Sequence, residues 1–170
     1  MADTIRFLLG GEVEEIHVSD PTRTVLDFLR EDKGLTGTKE GCNEGDCGAC
    51  TVVLAEPHGD RLRYRAVNSC IQFLPTLDGK QLITVEELGD PSGTLHPVQQ
   101  SLVDLHGSQC GFCTPGFVMS LFAMFHESRA ETPDRASINR LLAGNLCRCT
   151  GYAPIVRSAQ DVLSTHSEDA

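Results

Sequence analysis

Tryptophan is absent from the 170 residues and tyrosine occurs twice, a shortage that carries no functional message. Internal repeats and low-complexity tracts are also missing, which excludes a duplicated fold. Basic residues are scarce: 14 Lys and Arg stand against 24 Asp and Glu, giving a net charge of −10 and a pI near 4.9. That balance argues against nucleic acid and anionic membrane as partners and fits a chain that docks on other proteins. No apolar run approaches the roughly 20 residues that cross a bilayer, so no membrane span is expected. The start, Met1-Ala2-Asp3-Thr4-Ile5-Arg6, has no basic n-region, no h-region and no twin arginine. A cytoplasmic location is therefore expected, unless a partner carries an export signal. No Ser-His-Asp set, phosphate loop or nucleotide fingerprint occurs.

The period of the apolar residues changes partway along the chain. Thr4–Leu9 alternates apolar and polar residues and predicts a strand. Gly10-Gly11 signals a hairpin into Glu12–Val18, with a bulge expected between Val13 and Ile16. Asp20-Pro21-Thr22 predicts a helix start, with Val25, Leu26 and Leu29 on the buried face and Lys33-Gly34 at the end. Thr51–Leu54, Leu62–Val67 and Gln81–Val85 predict three further strands. From Pro97 onward the spacing is helical: Pro97–His106, Pro115–Phe125, Asp134–Leu142 and Ala153–Leu163. The expectation is an α+β chain: a sheet domain over 1–85, an all-α four-helix bundle over 86–163 and a frayed tail over 164–170. Gly and Pro gather at the boundary, Glu86–Gly93. A chain of 18.4 kDa divided in this way has two modest cores, which bound metal would help to hold.

Cysteine is what the chain has in plenty. Eight fall into two groups of four with none left over. In a cytosolic chain, clustered thiols are more often metal ligands or catalysts than structural disulfides. Cys42, Cys47, Cys50 and Cys70 show C-x4-C-x2-C with a later fourth Cys, the spacing of a plant-type [2Fe–2S] site. Gly41, Gly45 and Gly48 suit a loop that wraps a bulky cluster and points N–H groups at its sulfurs. Structural zinc is the alternative, although zinc sites favour short paired knuckles. Cys110, Cys113, Cys147 and Cys149 form a C-x2-C pair and a C-x-C pair, each just before a predicted helix. A helix N-terminus favours thiolate there. This spacing is less generic, and zinc stays open for it. Two clusters close together would make a wire for electrons.

The runs Gly41-Cys42-Asn43-Glu44-Gly45-Asp46-Cys47-Gly48-Ala49-Cys50-Thr51 and Leu142-Ala143-Gly144-Asn145-Leu146-Cys147-Arg148-Cys149-Thr150-Gly151-Tyr152, with Gln109–Gly116, resemble the iron–sulfur subunit or domain of molybdenum hydroxylases. The bacterial xanthine dehydrogenase type is the nearest variant, and the resemblance runs from about Ile5 to Leu163. It implies a β-grasp, ferredoxin-like N-terminal domain and a helical [2Fe–2S] domain. It implies a large molybdopterin-molybdenum subunit and an FAD-binding subunit or domain as partners, with purine catabolism as the setting. Electrons would pass from the molybdopterin to the cluster of Cys110, Cys113, Cys147 and Cys149. They would then pass to the cluster of Cys42, Cys47, Cys50 and Cys70, and on to FAD and NAD. Gln109 and Cys149 occupy the positions that approach the pterin in the family. The chain itself would bind no substrate. Many members carry FAD farther along the same chain; here it would lie on a separate subunit or on a part beyond Ala170. Related aldehyde, carbon monoxide and N-heterocycle dehydrogenases have a separate iron–sulfur subunit of about this size.

Other residues invite blander readings. The six histidines lie at no ligand position beside a cysteine pair, and His96 and His106 are expected as caps or surface residues. Phe112 would shield a cluster or simply pack. Arg148 would offset cluster charge, contact a partner or stay solvated. Glu44 and Asp46 suit a solvated loop, or docking of a flavin partner. A free ferredoxin-like carrier and a metal-bound sensor are the competing classes. The helical half counts against the first, and the lack of a DNA-binding element against the second.

Overall fold

A computed structural model describes residues 4–90, 92–127 and 133–166. Strand β1 (Thr4–Leu9) buries Ile5, Phe7 and Leu9 and exposes the residues between them. Gly10 and Gly11, both at positive φ, turn the chain into β2 (Glu12–His17). The pairing runs one for one from Thr4↔His17 to Leu9↔Glu12, so the bulge expected at Val13–Ile16 is absent. Ile16 pairs with Ile5 on the core face, whereas Val13 pairs with Leu8 on the other, exposed face. The shift of parity reflects two faces, not an extra residue.

Asp20 does not start the helix. Its Oδ1 accepts the Thr22 N–H at 2.8 Å in a local turn. The cap is Thr24, whose Oγ1 accepts the Asp27 N–H at 3.1 Å. Helix α1 (Val25–Asp27) then widens into a π-helical stretch over Phe28–Asp32. Strands β3 (Thr51–His58) and β4 (Arg61–Asn68) pair antiparallel along their whole length. The short β5 (Gln81–Ile83) enters between β1 and β3, parallel to the first and antiparallel to the second. The five-stranded order is β2-β1-β5-β3-β4. Val85, expected in the last strand, begins a 3₁₀ turn instead.

Four further helices follow among the described residues: α2 (Pro97–Asp104), α3 (Thr114–Glu127), α4 (Arg135–Leu142) and α5 (Ala153–His166). His96 caps α2, its Nδ1 accepting the Val98 N–H at 3.2 Å, while Gln99 accepts the His96 N–H at 3.0 Å. Asp134 caps α4 through the Ser137 N–H at 2.8 Å. Helix α3 is apolar on nearly every side because it is surrounded: it packs on α2, α4 and α5 and also on β3 and β4. Strand β3 is accordingly buried on both faces, which is why Thr51–Ala55 reads as a continuous run. Val52 and Leu54 face Phe7, Val25 and Leu82; Val53 and Ala55 face Val98, Phe117 and Ile155. Sheet and helices thus share a layer of core. No helix among the described residues is long and apolar enough to cross a membrane. Met1–Asp3, Pro91 of the expected boundary and residues 167–170 of the expected tail lie outside the described residues.

Candidate metal centres

Cys42, Cys47 and Cys50 lie on the loop from α1 to β3, and Cys70 on the turn that ends β4. The loop folds so that main-chain N–H groups meet sulfur. Cys42 Sγ accepts from Cys47 at 3.3 Å and from Asp46 at 3.4 Å; Cys47 Sγ accepts from Cys42 at 3.4 Å. Cys70 Sγ accepts from Gly45 at 3.2 Å, and Cys50 Sγ lies 3.3 Å from it. Close approach is built in: a Cβ on Gly41 would sit 2.8 Å from Cys47 Sγ. The Asn68 amide anchors the loop by donating to the Gly45 carbonyl at 2.7 Å.

Charge is distributed unevenly among these thiols. N–H donation from Cys47, then from Glu44 and Asp46, holds Cys42 down at about 7, so it favours thiolate. Burial, then the hydrogen bond with Cys50, pushes Cys70 up to about 12. A buried thiol of that kind loses its proton when a metal cation takes its place.

The second set repeats this arrangement on two loops, one before α3 and one before α5. Cys149 Sγ lies 3.6 Å from Cys110 Sγ, both exposed. Cys113 is pushed up to about 12, by burial first and next by a hydrogen bond with Cys147. Burial opposes ionisation of Cys147, yet the Thr150 hydroxyl, 3.2 Å away, and main-chain donors bring it below the usual range. Donation from the Phe112 N–H, then from Cys149, lowers Cys110 as well, while that same contact with Cys110 raises Cys149. All four thiols line one open hollow of about 530 Å³, with Phe112, Leu146 and Tyr152 around it.

None of the eight thiols is in a disulfide. They meet in pairs, and among the described residues no three or more His, Cys, Asp or Glu side chains enclose a single-ion site. A tetrahedral zinc needs four donors at about 2.0–2.3 Å from one point. A [2Fe–2S] unit has two irons, each with two protein ligands, and so needs two pairs. The donor chemistry, the pairing and the N–H groups aimed at sulfur fit that unit in both places.

The two loops also touch each other. The Phe112 ring is 49% exposed and reaches over the first loop, where a Cβ on Gly41 would lie 3.6 Å from its edge. Gln109 is exposed and directly precedes Cys110 in the chain, but it does not line the hollow. Asn145 and Leu146 had no role in the sequence reading beyond their place in a motif. Both bond across to the first loop. The amide in an otherwise apolar approach to a C-x-C pair was the available signal for the first; nothing local marked the second.

Fold and sites together define a protein built to hold two [2Fe–2S] clusters. Residues 7–74 match the 2Fe-2S iron-sulfur cluster binding domain, and residues 84–160 match the [2Fe-2S] binding domain. The xanthine dehydrogenase of Blastobotrys adeninivorans is 50% identical over 157 residues, covering 91% of this chain and 11% of that protein. A chain of quinoline 2-oxidoreductase from Pseudomonas putida 86 superposes with a TM-score of 0.83 at 32% identity, covering 98% of this chain and 96% of that one. The aldehyde oxidoreductase of Desulfovibrio gigas gives a TM-score of 0.84 at 33% identity, over 98% of this chain and 17% of that one. The chain belongs to the molybdenum hydroxylase family, as its iron–sulfur part. It spans about a tenth of the length of the curated relatives it matches, 11% in the case above.

Proposed function

We propose that this chain is the electron-transfer iron–sulfur portion of a xanthine dehydrogenase-like molybdenum hydroxylase. Cys42, Cys47, Cys50 and Cys70 would hold one [2Fe–2S] cluster, and Cys110, Cys113, Cys147 and Cys149 the other. Each bound cluster supplies a one-electron store. The chain's own work is to hold the two stores at fixed spacing and to shape their surroundings. Main-chain N–H groups at Cys42 and Cys70 stabilise negative charge on sulfur, and half-exposed Phe112 limits water between the loops. In this reading the second set faces a large molybdopterin-binding partner, with Gln109 and Cys149 as contacts, and the first faces an FAD-binding subunit or domain. The organisation is a β-grasp half over 1–85, a four-helix half over 86–163 and a tail over 164–170, in a cytoplasmic enzyme. The observation that carries the reading is the presence of two all-thiol sets on loops packed against each other.

A second reading keeps the role and changes the substrate. The near end-to-end likeness to a chain of quinoline 2-oxidoreductase supports an N-heterocycle dehydrogenase, and the likeness to aldehyde oxidoreductase an aldehyde enzyme. One experiment separates them: anaerobic capture of this chain from its host, then addition of xanthine while the visible iron–sulfur absorbance is followed. Bleaching with a co-purified molybdenum subunit is expected. A molybdenum subunit without bleaching moves the substrate to an aldehyde or another heterocycle. Absence of any molybdenum partner rejects the proposal in favour of a stand-alone carrier.

A further inference from the structure

We propose that Asn145 is the positioning residue that fixes the spacing between the two cluster loops. The inference rests on the two-cluster reading above. The Asn145 side chain is almost wholly buried, at 4% exposure, and it meets three different elements. Its Oδ1 accepts the Ser120 hydroxyl of α3 at 2.7 Å. Its Nδ2 donates to the Gly48 carbonyl of the first loop at 3.1 Å and to Thr51 Oγ1 of β3 at 3.2 Å. A planar amide offers an acceptor and two donors in one fixed frame, so these bonds set an orientation as well as an attraction. In a buried place each is costly to lose, because water cannot replace it.

The partner on the first loop is held unusually firmly. The Gly48 carbonyl also receives the Thr51 hydroxyl at 2.7 Å and the Thr51 N–H at 3.2 Å. Three donors on one carbonyl leave the peptide between Cys47 and Cys50 little freedom to turn. Two glycines clear the space around the amide. A Cβ on Gly48 would lie 2.3 Å from the Gly144 carbonyl and 2.6 Å from Asn145 Nδ2. One on Gly116 would lie 2.2 Å from the Gly48 carbonyl and 3.1 Å from Asn145 Nδ2. Gly48 follows Cys47, Gly116 follows Cys113 by one helical turn, and Asn145 precedes Cys147 by two residues. The first loop and both segments of the second therefore converge on one side chain. None of its bonds reaches a thiol, so it acts on the spacing of the two sites and not on their ligand sets.

The test is the spin–spin interaction between the two reduced clusters in the full chain, which falls steeply with distance. Wild type, Asn145→Leu, Asn145→Ala and Ser120→Ala would each be loaded, checked for iron and for both EPR signals, then reduced with dithionite. Leu keeps the bulk of Asn and loses every hydrogen bond. Loss of the interaction in both Asn145 variants, with a weaker loss in Ser120→Ala, and with both signals kept, is expected. An interaction unchanged in Asn145→Leu means that the side chain only fills space, and overturns the proposal. So does selective loss of the second cluster, which would make Asn145 a support of that site alone. If the Asn145 variants do not fold, Ser120→Ala is read by the same criteria. A wild-type chain that takes up no iron defeats the underlying reading instead, and is seen before any variant is made.

Discussion

The Leu146 N–H donates to the Cys47 carbonyl at 2.9 Å. Leu146 directly precedes Cys147, so one main-chain hydrogen bond joins a thiol residue of the first set to the neighbour of a thiol residue in the second. The link does not depend on a rotamer. The Leu146 side chain meanwhile points outward, 50% exposed. Leu146→Ala should therefore leave electron passage between the sets unchanged. Leu146→Pro removes the N–H and should slow it, with both clusters retained. Stopped-flow reduction, followed at wavelengths that separate the clusters, makes the comparison. Equal rates in the two variants would reject the main-chain route.

Gly48→Ala should cost more than the same change at Gly59. Both glycines have positive φ, +70° and +67°. That conformation alone costs a non-glycine residue about 1–3 kcal/mol. A Cβ at Gly59 meets open space at the β3–β4 turn, whereas one at Gly48 runs into the Gly144 main chain. The Gly48 variant should lose at least about 2 kcal/mol and should displace the second loop. Urea midpoints for the two variants give the answer, and equal losses would mean that the loops are not locked at Gly48.

Both thiol sets were legible in the sequence because a ligand loop is local: spacing and glycines lie together along the chain. The helices from Pro97 onward were legible from their apolar spacing. Pairing was not. Strand β5 is three residues long, and its insertion between β1 and β3 depends on contacts far apart in the chain. The burial of β3 on both faces was present in the run Thr51–Ala55, but such a run does not say what covers it. Asp20 misled because an aspartate caps a turn as readily as a helix. The bonds of Asn145 and Leu146 to the first loop lie nearly a hundred residues from their partners, and no local pattern encodes them.

Cys149→Ala should remove the second cluster and spare the first. Cys149 is exposed, and its sulfur lies 3.6 Å from that of Cys110. The bonds that reach the first loop come from Asn145 and Leu146, upstream of it. Without iron, the change should shift stability by no more than about 0.5 kcal/mol, as at most exposed positions. EPR of the reduced variant should show one signal, that of the first set, and about half the iron. Loss of both signals would show that the shared core makes the two sites fold as one.

Glu87 should make the chain less stable as pH rises. Its carboxylate lies partly buried under the first hairpin, where Oε1 accepts the Gly10 N–H at 3.0 Å. Burial pushes its pKa up to about 7 from an ordinary 4.5; the N–H groups of Gly10 and Thr84 oppose this only in part, and the neighbouring Glu86 adds to it. The folded chain therefore holds a proton that the unfolded chain releases. Stability is highest below pH 4.5, falls as pH rises from there to about 7, and is level above that. The full shift corresponds to an upper limit of about 3 kcal/mol, which partial solvent exposure reduces to about 1–2 kcal/mol. Glu87→Gln keeps an acceptor for Gly10 and cannot ionise. Denaturant unfolding should find it nearly equal to wild type at pH 4 and more stable by about 1–2 kcal/mol at pH 8. Taking the difference between the two proteins cancels the acid sensitivity they share, so parallel curves would mean that Glu87 ionises in the folded chain as freely as in water.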